Sequence, residues 1–244
     1  MLDMHKFNIS LVLFFFFYKL YEQIQRKIWK TLGEIEEIHN IILDCLIQYS
    51  VEHGLGSHHA EVVSNTLVTM NCISIRAKII IKLRKCLSST SQNCRSTLVK
   101  HPVWNEIACL VRAMVAVSFF YASLSESFLA ECFHVVALLA STGPTLIRSS
   151  IHGLVVNAIH MLITSECITV CNRKKLKYLM NDVGDGKYRV HFGLNKSYAN
   201  AFTITEETMS DNMENINLAS LEIIVQLLLE VTSSAAPNAG KISI

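Results

Sequence analysis

The sequence predicts an all-α protein, built as stacked helix hairpins in the manner of an armadillo or HEAT-type solenoid segment. Three observations carry that expectation. Half of the residues are apolar and only 17% are charged, with three prolines and nine glycines in 244 residues, too few for a loop-dominated or disordered chain. Apolar positions recur every three or four residues along successive segments, the spacing of one helix face. Turn residues punctuate them so that the pattern regenerates about every forty residues, as when helix pairs stack, although without residue-level self-similarity the periodicity alone fits an irregular helical bundle as well.

The elements follow in order. Phe7 to Tyr18, FNISLVLFFFFY, is apolar but shorter than the roughly 20 residues a spanning helix needs, and Lys19 interrupts it. No small-residue cleavage site follows in KLYEQIQRK. The stretch reads as a short uncleaved anchor, as the first turns of a buried helix, or as residues foreign to the fold. From Ile28 the positions Leu32, Ile35, Ile38, Ile42, Cys45 and Tyr49 form one stripe of a single long helix ending at His53-Gly54-Leu55-Gly56, where glycine can adopt a left-handed conformation. Ser57 caps a second helix running to about Cys72, and a third covers Ile73 to Leu87. SSTSQNCRST is a polar loop. His101-Pro102 opens a helix whose buried stripe is Val103, Ile107, Leu110, Val111, Met114 and Val117. Another helix from Phe128 to Ala140 ends in Ser141-Thr142-Gly143-Pro144. After about Thr169 come one more helix, an irregular connection through Gly184 and Gly186, an apolar helix from Leu218 to Val231, and a tail over 233–244 that reads as disordered.

The segment TLIRSSIHGLVVNAIHML raises the main question of chemistry. Ile147, Ile151, Leu154, Val155, Ala158 and Leu162 form its buried face, and Arg148, His152 and Asn157 flank it. These flanking groups are expected to make inter-helix polar contacts, with Gly153 letting a neighbour approach. His152 and His160 stand about 12 Å apart along a helix, too far to share one metal ion. His58-His59 beside Glu61 lacks the HExxH arrangement, because adjacent helical residues diverge by about 100°. Gly54-Leu55-Gly56 is only a fragment of a nucleotide loop, with His59 at the sixth position and no preceding strand.

Cys45, Cys72, Cys86, Cys109 and Cys132 lie within apolar helical pattern and read as free thiols in a reducing compartment. Cys167 and Cys171 are one helical turn apart but have no accompanying Cys/His pair at zinc-finger spacing. Asn8-Ile9-Ser10 and Asn195-Lys196-Ser197 match a glycosylation triplet that matters only in a secreted protein. A formal charge of +2 without a basic block argues against nucleic acid. With no GxSxG elbow and no Walker lysine loop, the residues offer no catalytic, cofactor-binding or metal site.

Six segments, in order, resemble the neurofibromin family of Ras GTPase-activating proteins. They are KIWKTLGEIEEIHNIILDCLI (Lys27 to Ile47), GLGSHHAEV (Gly54 to Val62), WNEIACLVR (Trp104 to Arg112), FHVVALLASTGPTLIRSSIHGLVVNAIHML (Phe133 to Leu162), FGLNK (Phe192 to Lys196) and LASLEIIVQLLLE (Leu218 to Glu230). The resemblance implies a cytoplasmic, non-catalytic scaffold piece over residues 26–232, from a helical-repeat region beyond the catalytic and lipid-binding domains. It implies partners that are proteins: other repeats of the parent chain, a second copy as a homodimer, and Ras only through a catalytic domain that is not here. That family inserts an arginine finger beside the transferred phosphoryl group. No arginine here lies in a matching motif, so no catalytic residue carries over. Residues 1–25 have no counterpart, and translated intron with truncation at both ends would account for them. The rival reading is a small membrane-anchored helical protein held by residues 7–18.

Overall fold

The structure is a computed structural model that describes residues 19–54, 57–70, 72–90, 98–120, 126–164, 168–184, 189, 192–194 and 202–203. The expected features at residues 1–18, the helix at 218–231 and the tail at 233–244 lie outside those residues, as do residues 91–97 of the loop expected at 88–97; its first three residues, Ser88 to Thr90, instead end the helix Ile73–Thr90. Among the described residues the protein is all-helical, with one isolated antiparallel bridge between Thr142 and Thr203. It divides into two compact units, residues 1–78 and 79–244.

The first unit holds α1 (residues 19–32), a 3-10 turn (Glu36–Ile38), α2 (His39–His53), α3 (His58–Met70) and the start of α4 (Ile73–Thr90). The single long helix expected from Ile28 to Tyr49 is therefore two. Its break is at Gly33, where a β-carbon would stand 2.3 Å from the Met70 carbonyl oxygen, so only glycine lets the end of α3 come so close. The 3-10 turn then rephases the chain. The buried side of α2 becomes His39, Leu43, Ile47 and Ser50, while Ile28, Ile35, Cys45 and Tyr49 of the expected stripe are exposed.

Gly54 ends α2 at φ 86°, as its position in the sequence predicts. Ser57 Oγ accepts the Ala60 N–H at 3.3 Å and so caps α3. The buried side of α3, Ala60, Val63, Leu67 and Met70, packs with α2. His39 locks this arrangement from within. It is 1% exposed; Nε2 lies 3.1 Å from the Gly33 carbonyl and Nδ1 lies 2.5 Å from Ser74 Oγ. A carbonyl can only accept, so Nε2 carries the hydrogen, and in the neutral ring Nδ1 accepts from the serine hydroxyl.

The second unit contains the rest of α4, α5 (Val103–Phe120), α6 (Glu126–Leu139), α7 (Thr145–Thr164) and α8 (Val170–Gly184). α7 packs against α5 most extensively, and also against α6 and α8. Five of the six expected stripe residues of α5 are buried, Val103 being half-buried, and Ala108, Cys109 and Ala113 are buried as well. A helix enclosed on so many sides has little need of an amphipathic pattern. On α7 the expected face of Ile147, Ile151, Leu154, Val155, Ala158 and Leu162 is buried throughout. α7 is long and apolar enough to cross a membrane by length and composition alone, yet half of that window is buried inside the protein, as in a core helix.

Pro102 and Pro144 each stand one residue ahead of their helix, and the Pro144 carbonyl accepts from the N–H groups of Ile147 and Arg148. Gly153 proves less restrictive than its sequence position implies. A β-carbon there would meet Val115 Cγ1 at 3.7 Å, an ordinary contact.

Gly33→Ala is expected to destabilise the first unit by about 1–3 kcal/mol, because Met70 backbone, not a yielding side chain, occupies the space. Urea unfolding followed by helical circular dichroism measures this, with Gly153→Ala as the control that should change little.

Candidate functional site

The densest polar constellation grows from the loop Ser141-Thr142-Gly143-Pro144 and the first turn of α7. Proline ends the freedom of the loop and starts the helix, which fixes the position of Arg148 one turn later. Gly143 adopts φ 105°, a conformation that side chains resist, and a β-carbon there would meet Trp104 Cζ3 at 3.3 Å. The indole packs over the glycine. Its Nε1 donates to the Leu98 carbonyl at 2.7 Å, and its ring meets Phe202 edge to face at 5.3 Å between centroids. The Gly143 N–H in turn donates to the Phe202 carbonyl at 2.8 Å, beside the Thr142–Thr203 bridge.

Beneath this loop Arg148 is fully buried, at 0% exposure. Its guanidinium donates from Nε to the Gly143 carbonyl at 3.0 Å. Nη1 donates to the carbonyls of Phe192 at 2.8 Å and Gly193 at 2.9 Å, and Nη2 to Thr145 Oγ1 at 3.1 Å. Desolvation pulls the guanidinium below its usual pKa, but an arginine starts so high that it stays charged. Burying a charge is costly unless donors find partners, and these acceptors supply them. The arrangement ties the α7 loop to residues 192–193. With its donors turned onto its own chain, Arg148 is placed to hold structure, not to reach a ligand.

The other sequence candidates are dispersed. His152, half-buried, donates from Nε2 to the Val183 carbonyl of α8 at 3.1 Å and lies edge-on to Phe192. Asn157 donates from Nδ2 to the Val115 carbonyl and to Ser118 Oγ, both at 2.9 Å, joining α7 to α5. Both are the inter-helix contacts their flanking positions predict. Arg148 goes further, since it lies inside the stripe's core. His160 is exposed at a cavity of about 210 Å³ that Ser118, Phe119, Asn157, Met161 and Thr164 also line.

In the first unit, His58 pairs with Glu61 at 3.9 Å on the surface. His59 Nδ1 instead meets the Tyr49 hydroxyl at 2.8 Å, and His53 donates from Nδ1 to the Tyr49 carbonyl at 2.9 Å. Among the described residues no group of three or more His, Cys, Asp or Glu side chains is placed to hold a metal ion. Cys171 is exposed and Cys167 lies outside the described residues. Sequence reasoning missed His39, Cys72 and Ser74, which meet one another around the Gly33 break. The available signal was that glycine, which interrupts the helical phase and places His39 in register with Leu43 and Ile47.

Burial pushes the Cys132 thiol up to about 12, with Glu131 adding to it. Cys86 rises to about 11 through burial first and then the carboxylate of Glu106, which Lys82 also contacts at 3.1 Å. Both thiols are protonated and inert near neutral pH. The unfolded chain ionises them near 9.0 and the folded chain only near 11 and 12, so their contribution to stability is whole below pH 9 and is lost as the pH climbs from there.

Two outcomes are expected. Arg148→Met should lower stability by about 3 kcal/mol, since it strands buried carbonyls whose desolvation costs about 1–3 kcal/mol each, and urea unfolding reads this directly. Urea midpoints taken from pH 8 upward should fall above pH 9, and Cys132→Val should remove part of that fall.

No protein-family profile matches the chain. Comparison with curated proteins finds 25% identity over 151 residues to the inhibitory regulator protein IRA1 of Saccharomyces cerevisiae, covering 62% of this chain and 5% of that protein. The chain is likewise 25% identical over 221 residues to the inhibitory regulator protein IRA2 of the same yeast, a similarity that spans 88% of this chain and 7% of IRA2.

Proposed function

We propose that this chain is a non-catalytic helical scaffold segment of a large Ras GTPase-activating regulator, a negative regulator of Ras signalling. The observation that carries the reading is the match to IRA2, which takes in 88% of this chain and only 7% of the much longer relative. The interior supports it. The most elaborate polar groups, Arg148, His152 and Asn157, bond to carbonyls and hydroxyls of neighbouring segments, as a supporting element requires. In this reading the helices stack as a solenoid segment of armadillo or HEAT type in the cytoplasm. Flanking repeats and a second copy are its partners, and it uses no cofactor. Ras is reached through a catalytic domain elsewhere in the regulator.

The test is a chimera in which residues 26–232 replace the matching stretch of yeast IRA2, with Ras-bound GTP measured in cells lacking IRA2. The chimera should lower GTP-bound Ras as the unaltered regulator does, and a deletion of the stretch should not. The purified chain alone should leave the GTP hydrolysis rate of Ras unchanged. An accelerated rate, or a chimera that accumulates normally but behaves like the deletion, would sink the proposal.

A further inference from the structure

The break between α1 and α2 gathers His39, Ser74 and Cys72, and the thiol has no part in the contacts that hold that break. Cys72 stands immediately before Ile73, the first residue of α4, and is half-buried. Its Sγ is 3.6 Å from His39 Nδ1 and 3.4 Å from Ser74 Oγ. The Gly33 carbonyl fixes the hydrogen of His39 on Nε2, so the lone pair of Nδ1 accepts the Ser74 hydroxyl, whose own oxygen faces the thiol and links it to the ring. A thiol beside the acceptor nitrogen of an oriented imidazole is the pairing that activates a cysteine nucleophile. The start of an 18-residue helix also favours negative charge on that sulfur.

From this geometry we infer that Cys72 is a covalent modification site for low-molecular-weight disulfides, with His39 as its base. The thiol proton passes to Ser74 Oγ as the serine proton passes to Nδ1, and the sulfur attacks one sulfur of the disulfide. A new S–S bond forms to Cys72 as the reagent's own S–S bond breaks. The departing thiolate leaves with the bonding pair and takes the proton back from the imidazolium. The product places a bulky group against His39, which is 1% exposed and joins the Gly33 carbonyl to Ser74. Modification therefore competes with the contacts that hold the α1–α2 break. The inference is independent of the parent protein's role.

The experiment treats the full chain with oxidised glutathione and follows each cysteine peptide by mass spectrometry between about pH 6 and pH 9. Cys72 should react about tenfold faster than exposed Cys45 and Cys171 near neutral pH. His39→Gln should erase the advantage, and Ser74→Ala, which removes the hydroxyl between thiol and ring, should reduce it. Equal rates at the three cysteines in the unaltered protein would overturn the inference without any variant. So would an advantage that survives His39→Gln in a chain with unchanged circular dichroism.

Discussion

The buried guanidinium of Arg148 is the constraint on which the second unit depends. Removing a positive charge from water is costly, and a single neutral hydrogen bond contributes only about 1 kcal/mol net. A guanidinium at 0% exposure is tolerable only when several acceptors are already in place around it. Here those acceptors come from Gly143, Thr145, Phe192 and Gly193, so the loop before α7 and residues 192–193 must be positioned together. The planar fork of arginine suits this task, because its donors leave in fixed directions toward separate segments. The positive φ of Gly143, the indole of Trp104 above it and the bond from Gly143 to Phe202 complete the clasp.

The first unit meets a similar need with a neutral group. His39 also joins backbone at a break to a side chain on another helix, but its ring has one donor and one acceptor and carries no obligatory charge. A single carbonyl and a hydroxyl suffice. The ring's acceptor, reached through the Ser74 hydroxyl, is also what the proposed reactivity of Cys72 draws on, and a guanidinium offers no such acceptor. Placement of the cysteines sets the rest of the thiol chemistry. Burial raises Cys86 and Cys132 beyond the range in which they attack anything, whereas Cys45 and Cys171 open to solvent.

The proposed function draws on how these groups are used. Polar side chains inside α7 and α2 are consumed in holding neighbouring segments, while at the surface His53 and His59 gather around Tyr49. Such an interior fixes the position of one helix against the next, which supports the proposed role as a piece of a longer regulator.

The sequence by itself determined the helical class, the turn at Gly54, the cap at Ser57, and the apolar faces of α5 and α7. Each rests on periodicity or local backbone preference, which neighbouring residues encode. Tertiary structure alone decided the break at Gly33, since the reason lies at Met70, far along the chain. It also decided the depth of Arg148, whose acceptors at 192–193 lie more than forty residues away. The rephasing of α2 follows from that same break, and it moved Cys45 outward and His39 inward. Helical spacing ranks residues around one rod, but a second rod must arrive before one side of it becomes the inside.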